Sequence, residues 1–248
     1  MSLGAALAVG ACAPHVEVPG LPSENGRWMT DSVIHAYDGL ELPLRAWAPK
    51  GRTKAVLIAL HGFNDYGKSW ETPGQFWAGQ GVATYAYDQR GFGQTDQPGL
   101  WHGGQTLVED LKDVVSLLRR RHPGLPVFVV GESMGGAVAM IAMADPEPPL
   151  IDGLILAAPA VWGRSTMNLA SRTGLWALSH SVPWLRLSGK GLNIKASDNM
   201  EMLRALSKDP LVIKETRIDA IHGLVDLMDA AQAAAGNIRV PTLVLYGE

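Results

Sequence analysis

The sequence predicts an α/β protein: a mostly parallel sheet with helices on its faces and a helical insertion late in the chain. Two patterns predict it. Short, continuous apolar runs alternate with segments of helical period, as in parallel strands joined by right-handed crossovers. One such run, Val127–Val130, ends abruptly in Gly131-Glu132-Ser133-Met134-Gly135-Gly136, which sets a lone serine among small residues.

The elements follow in order. Residues 1–30 are read as a leader and linker, with 13–30 rich in Pro, Gly and polar side chains, and residues 31–248 as one domain. Ser32 to Pro49 holds two strand-like runs around Asp38-Gly39, which predicts a hairpin. Ala55 to Gly62 is continuously apolar before turning polar, which suits a strand covered on both faces. Val82 to Asp88 is strand-like, and 105–121 has helical period. There Val108, Leu111, Val115 and Leu118 share one face, with Asp110 and Asp113 expected off it. The run Leu117 to Pro123 puts three arginines at the end of this helix, where cations complement the dipole, and Pro123-Gly124 ends it. Pro126 to Gly131 predicts a strand, Ser133 to Ala144 a helix, and Leu154 to Ala160 and Thr242 to Gly247 two more strands.

Between Ala160 and Pro241 the alternation stops. A crossover needs a dozen or so residues, and a structureless loop of this length is disfavoured. Helix-like stretches at 199–210 and 217–235, and the Trp- and Leu-rich run Gly174 to Leu187, predict a helical cap over about 161–238, at the C-terminal edge of the sheet.

Composition narrows the function classes. The 248 residues are 47% apolar and 18% charged, with a net charge of −3. No basic patch supports nucleic-acid binding. A single cysteine, Cys12, rules out an internal disulfide. No His/Cys/Asp cluster has metal-ligand spacing and no Gly-rich phosphate loop is present, so no metal or organic cofactor is expected.

The pattern G-x-S-x-G would arise by chance in roughly one such chain in six, so context carries the weight. Here it follows a buried strand and opens a small-residue helix, as a nucleophile elbow requires. Three blocks together resemble the α/β-hydrolases of the monoacylglycerol lipase and lysophospholipase branch, the serine aminopeptidase-like group. They are Leu60 to Gly67, similar to the family's His-Gly oxyanion loop; Tyr85 to Asp96, similar to its Asp-x-Arg-Gly-His-Gly-x-Ser segment; and Gly131 to Gly136. The likeness extends over about residues 30–248. It departs at Glu132 and Phe92, where the family often has His, and at Thr95, where it has Ser.

The resemblance implies the α/β-hydrolase fold, Ser133 as nucleophile, and the backbone N–H groups of Met134 and Phe63 as oxyanion donors. It assigns His61 to the loop scaffold and reads Asp88 and Arg90 as a turn-stabilising pair. In this fold the order along the chain is Ser, then Asp or Glu, then His. Glu248 is one candidate acid, although the family's Gly-x-x-Asp spacing places that residue about two positions further on. His35, His102, His122 and His180 are out of order, and His222 precedes the last strand. The expectation is therefore of a fragment that lacks its last strand, last helix, acid and histidine, poorly soluble and essentially inactive as an esterase.

The cap suggests a lipid-like ester substrate, monoacylglycerol or lysophospholipid. Trp162, Trp176 and Trp184 are candidates to line an acyl tunnel or meet a membrane interface; as an alternative they form the cap's own core. Another acyl hydrolase, transferase or peptidase activity stays open, as does a lipid-binding relative without turnover. At the N-terminus, Val9-Gly10-Ala11-Cys12 resembles a bacterial lipobox, which implies a lipidated Cys12 at an envelope membrane and a start upstream of Met1. A leader with an incidental cysteine, in a cytoplasmic protein, is the alternative.

Overall fold

A computed structural model of the chain describes residues 13–188 and 199–247. Cys12 and Glu248 lie outside the described residues. An eight-stranded sheet has the order β1-β2-β3-β5-β4-β6-β7-β10. β1 (Trp28–Met29), β2 (Val33–His35) and β3 (Glu41–Trp47) form the antiparallel end. β3 joins β5 (Val82–Tyr87) antiparallel, and from there β4 (Ala55–Leu60), β6 (Val127–Glu132), β7 (Gly153–Ala157) and β10 (Thr242–Leu245) run parallel. The central strands β4 and β5 are buried after their first residue, which is why their apolar runs are continuous rather than alternating. Among the described residues β10 pairs with β7 alone, and Leu243, Val244 and Leu245 are exposed.

Helices α1 (Glu71–Gly79), α2 (Gly104–Arg121) and α3 (Met134–Ala144) flank the sheet. α3 is apolar almost all round and buried through most of its length, between β6 on one side and α2 and α6 (Ile218–Ala234) on the other. Helix α1 carries Pro73 and Gly74 in its first turn. It forms because Gly74 lies flat on Trp47; a Cβ there would meet the indole at 2.5 Å.

Between β7 and β10 the chain builds α4 (Leu169–Ser181), β8 (Arg186–Ser188), α5 (Met200–Lys208), β9 (Glu215–Arg217) and α6. Asn168 and Asn199 cap α4 and α5, each accepting a backbone N–H with its side chain. β8 and β9 pair antiparallel in a separate ribbon. Helix α6, within the range expected for the cap, packs instead against α3, with Leu227 and Ala231 in the main core.

Two sequence expectations need correcting. Asp110 and Asp113 do not sit off the buried face of α2; they are 1% and 5% exposed, and each has an arginine partner. Asp88 and Arg90 do not pair with each other. Arg90 is buried between Asp38, at the hairpin turn, and Asp110 on α2, with four guanidinium bonds of 2.6–2.9 Å. Burial alone would favour the neutral guanidine; the two carboxylates outweigh it and hold Arg90 charged. Asp88 instead accepts from Arg45 (2.6 Å), the Gly67 N–H (2.9 Å) and the Gln94 N–H (2.9 Å).

Replacing Arg90 by Met leaves two buried carboxylates without a cation, a loss that typically costs about 3–5 kcal/mol. The expected result is a urea midpoint lowered accordingly, with partial recovery in Arg90→Met/Asp110→Leu. An unchanged midpoint for Arg90→Met would show that the network contributes nothing net.

Candidate active site

Ser133 stands between β6 and α3 with φ 49° and ψ −112°, a left-handed conformation that non-glycine residues rarely adopt. The local sequence forces it there. α3 meets the sheet backbone to backbone: a Cβ on Gly131 would lie 2.4 Å from Gly135 O, and one on Gly135 would lie 2.5 Å from Leu60 O. Gly136 is pressed against Pro159 in the same way, at 2.9 Å. The Ser133 N–H donates to Ala157 O (3.0 Å) and its carbonyl accepts from Ala160 and Ala137 (2.9 and 3.1 Å). The backbone is thus pinned from both sides. The side chain caps nothing and is partly exposed at the C-terminal end of β6. Met134, buried, is the first residue of α3, so its N–H has no acceptor within the helix.

The loop after β4 reaches the same point. A Cβ on Gly62 would come 3.6 Å from Ser133 Cβ, so Gly62-Phe63 and the Ser133-Met134 turn are neighbours. The Asp65 N–H closes a turn onto Gly62 O (3.3 Å), and Asn64 takes a positive φ of 66°. The Phe63 ring packs edge-on against Phe92 and Trp101.

His61 holds this loop and is completely buried. The Gln89 N–H donates to Nε2 at 2.9 Å, so Nε2 is the lone-pair nitrogen, and Nδ1–H donates to Gly62 O at 2.8 Å. The Gln89 side-chain amide donates to His61 O at 2.9 Å. Both ring nitrogens are committed, as the scaffold reading of His61 requires. Burial drives its pKa down to about 4. Gln89 was missed by sequence reasoning, since the middle position of Asp-x-Arg carries no signal of its own; its backbone and side chain both grip His61 at the head of this loop.

Glu132 is water-accessible but flanked by protein in the cleft. Loss of water, and then the nearby Asp65 carboxylate, raise its pKa above the ordinary value. The other histidines are engaged elsewhere. His35 stacks on Trp28, and His122 bonds the Tyr85 hydroxyl. His102 is buried. His180 bonds Trp176 O, while His222 lies between Arg164 and Asp226 in the cap. Trp162, Trp176 and Trp184 are 71%, 61% and 58% exposed, so they are not the cap's own core. A cavity of about 610 Å³, lined by Trp47, Lys50, Arg52, Lys54, Gln75 and Gly81, opens at the opposite edge of the sheet from Ser133.

The unfolded chain binds a proton at His61 near pH 6.5 that the folded chain refuses until about pH 4. This contribution to stability is therefore complete above pH 6.5 and lost as the pH falls towards 4. Imidazole ¹⁵N spectra should show His61 as the neutral Nδ1–H tautomer, unshifted from pH 7 to 5. Titration near pH 6.5 would contradict the buried geometry.

A family profile described as serine aminopeptidase, S33, matches residues 51–248. Monoglyceride lipase of Homo sapiens is 28% identical over 217 residues, 85% of this chain and 70% of that protein. Phospholipase YtpA of Bacillus subtilis is 26% identical over 197 residues, 78% of this chain and 75% of that protein. A solved structure of a soluble variant of monoglyceride lipase from Saccharomyces cerevisiae, in complex with a substrate analog, has a TM-score of 0.71 at 20% identity. It covers 92% of this chain and 80% of that one, and shows the same fold. With the profile spanning most of its length, the chain belongs to the serine aminopeptidase S33 family of α/β-hydrolases, on its monoacylglycerol lipase-like branch.

Proposed function

We propose that Ser133 is the nucleophile of a hydrolase that cleaves carboxylic esters of lipid-like substrates, monoacylglycerols or lysophospholipids, through an acyl-enzyme. The strained elbow carries this reading: a left-handed serine between β6 and α3, beside Gly62. Relatives named monoglyceride lipase and phospholipase support the substrate class. In this mechanism Ser133 Oγ attacks the ester carbonyl. The N–H groups of Phe63 and Met134 receive the oxyanion, the alcohol leaves, and water releases the acid. Among the described residues, the histidines after Ser133 are His180 and His222, both committed within the cap, and the proposal assigns the base to neither. Trp162, Trp176 and Trp184 present apolar surface to an acyl chain or a membrane interface. Anchoring through a lipidated Cys12 in a bacterial envelope belongs to the same reading and supplies such substrates locally.

A fluorophosphonate probe should label Ser133 and leave Ser133→Ala unlabelled. Where an acid and a base are supplied, release of fatty acid from monoacylglycerol or lysophosphatidylcholine should disappear in the same variant; these 248 residues by themselves are expected to turn over esters poorly. Labelling with acyl transfer or peptide cleavage but no ester hydrolysis would turn the reading towards those reactions; no labelling would leave a lipid-binding role. Glu132, once ionised, places negative charge beside the developing oxyanion. Glu132→Gln should therefore raise kcat a few-fold at pH 8, a difference that fades at acid pH where Glu132 is protonated. Equal pH profiles would remove Glu132 from the electrostatics of the step.

A further inference from the structure

The loop carrying Phe63 is held from two sides. On one side stand Gln89 and Asp88, which bind His61 and the Gly67 N–H. On the other stands the cap. The Ile213 N–H donates to Asn64 O at 2.9 Å, and Asn64 Nδ2–H donates to Thr216 Oγ1 at 2.7 Å. The Tyr66 hydroxyl donates to Asp209 Oδ2 at 2.7 Å. Asn64 is thus the next residue after the expected oxyanion donor, sits at φ 66°, and has both its carbonyl and its side chain bonded to the returning arm of the cap.

An oxyanion donor works only if it lies within about 2.7–3.1 Å of where the charged oxygen will sit. A loop with a left-handed residue beside that donor drifts readily unless something outside it fixes both peptide planes. Here the fixing element is the cap segment Asp209–Arg217, and β9 within it pairs with β8 and so stays in register.

We infer that Asn64 and Thr216 are positioning residues for the oxyanion hole. The Phe63 N–H comes into line with that of Met134 only while the cap segment 209–217 is seated on the loop. This rests on the reading of Ser133 as a hydrolytic nucleophile. If the same bonds served only to tie down the cap, their loss would disturb long-chain substrates that touch the cap and spare short ones.

The test uses the full chain with Thr216→Val, Thr216→Ser and Asn64→Gly, the last keeping the left-handed backbone while deleting the amide. Turnover of a short soluble ester such as p-nitrophenyl acetate is followed together with hydrogen exchange of the peptide spanning 61–66. Thr216→Val and Asn64→Gly should lower kcat about tenfold with KM unmoved, short of the ~10²–10³ typical of losing a donor outright. Thr216→Ser, which keeps the acceptor, should restore wild-type kcat. Exchange over 61–66 should quicken in Thr216→Val and return in Thr216→Ser. A kcat for folded Thr216→Val within twofold of wild type overturns the inference, as does an equal loss in Thr216→Ser. If the wild-type chain turns over no ester, as a chain without its acid and histidine would not, Ser133 is judged by fluorophosphonate labelling instead, and its failure to label is what defeats that reading. Exchange then decides alone: unchanged protection at 61–66 in Thr216→Val refutes the latch, and quickened exchange upholds it.

Discussion

One close approach governs this molecule: the first turn of α3 lies directly on the ends of β4 and β6, with no room for a side chain between them. Glycine at 131, 135 and 136 is the consequence, and so is the positive φ of Ser133. Such a conformation costs on the order of 1–3 kcal/mol and persists only where the surroundings over-determine it. The surroundings here are the burial of nearly all of α3 and the backbone bonds from Ser133 to Ala157 and Ala160. The same contact leaves the N–H of Met134 without a helical acceptor beside the serine. Strain, exposure and an open donor therefore arise from one packing decision.

The second layer of the site is polar and buried, and it comes from the turn after β5. Asp88, Gln89 and Arg90 follow one another in sequence yet serve three different partners. Asp88 takes Arg45 and two backbone N–H groups, Gln89 takes His61, and Arg90 takes Asp38 and Asp110. Gly91 and Gly93, at φ 79° and 59°, let the chain double back tightly; a Cβ on Gly93 would lie 2.3 Å from the Asp88 carboxylate. An apolar contact could not set the direction of the loop after β4, because dispersion has no preferred angle. Hydrogen bonds to both nitrogens of a buried imidazole do.

The strands and the elbow were legible in the sequence for a local reason. A strand covered on both faces needs an unbroken apolar run, and a backbone-to-backbone contact needs glycine. What stayed hidden was set by partners distant in sequence. Asp110 looks solvated until Arg90 is seen beside it, and Asp113 until Arg27 is. Residues 71–79 have no reading from sequence, and their helix rests on Trp47 lying against Gly74. The period of α6 was visible, but not that it would cover α3 rather than the site; Gly223 against Trp101 and Leu227 against Gly104 decide that. Of the candidate site, Gly62 and Ser133 come together as the motifs required. The role of Gln89 and the exposure of the three tryptophans had no sequence signature.

Within the cap the chain sets out and returns at a single place. Ile218 and Asp219 donate their N–H groups to Leu185 and Pro183, and β8 pairs with β9 just beyond. The chain between these strands is thus a closed excursion whose ends are already fixed side by side. Doubling the length of such a loop adds only about 0.6 kcal/mol of closure entropy. This part of the cap can therefore be lengthened or shortened at small thermodynamic cost, while the sheet and its serine remain as they are. The stretch least free to drift is the returning arm from Asp209 to Thr216, because a change there is felt at Asn64 and Tyr66.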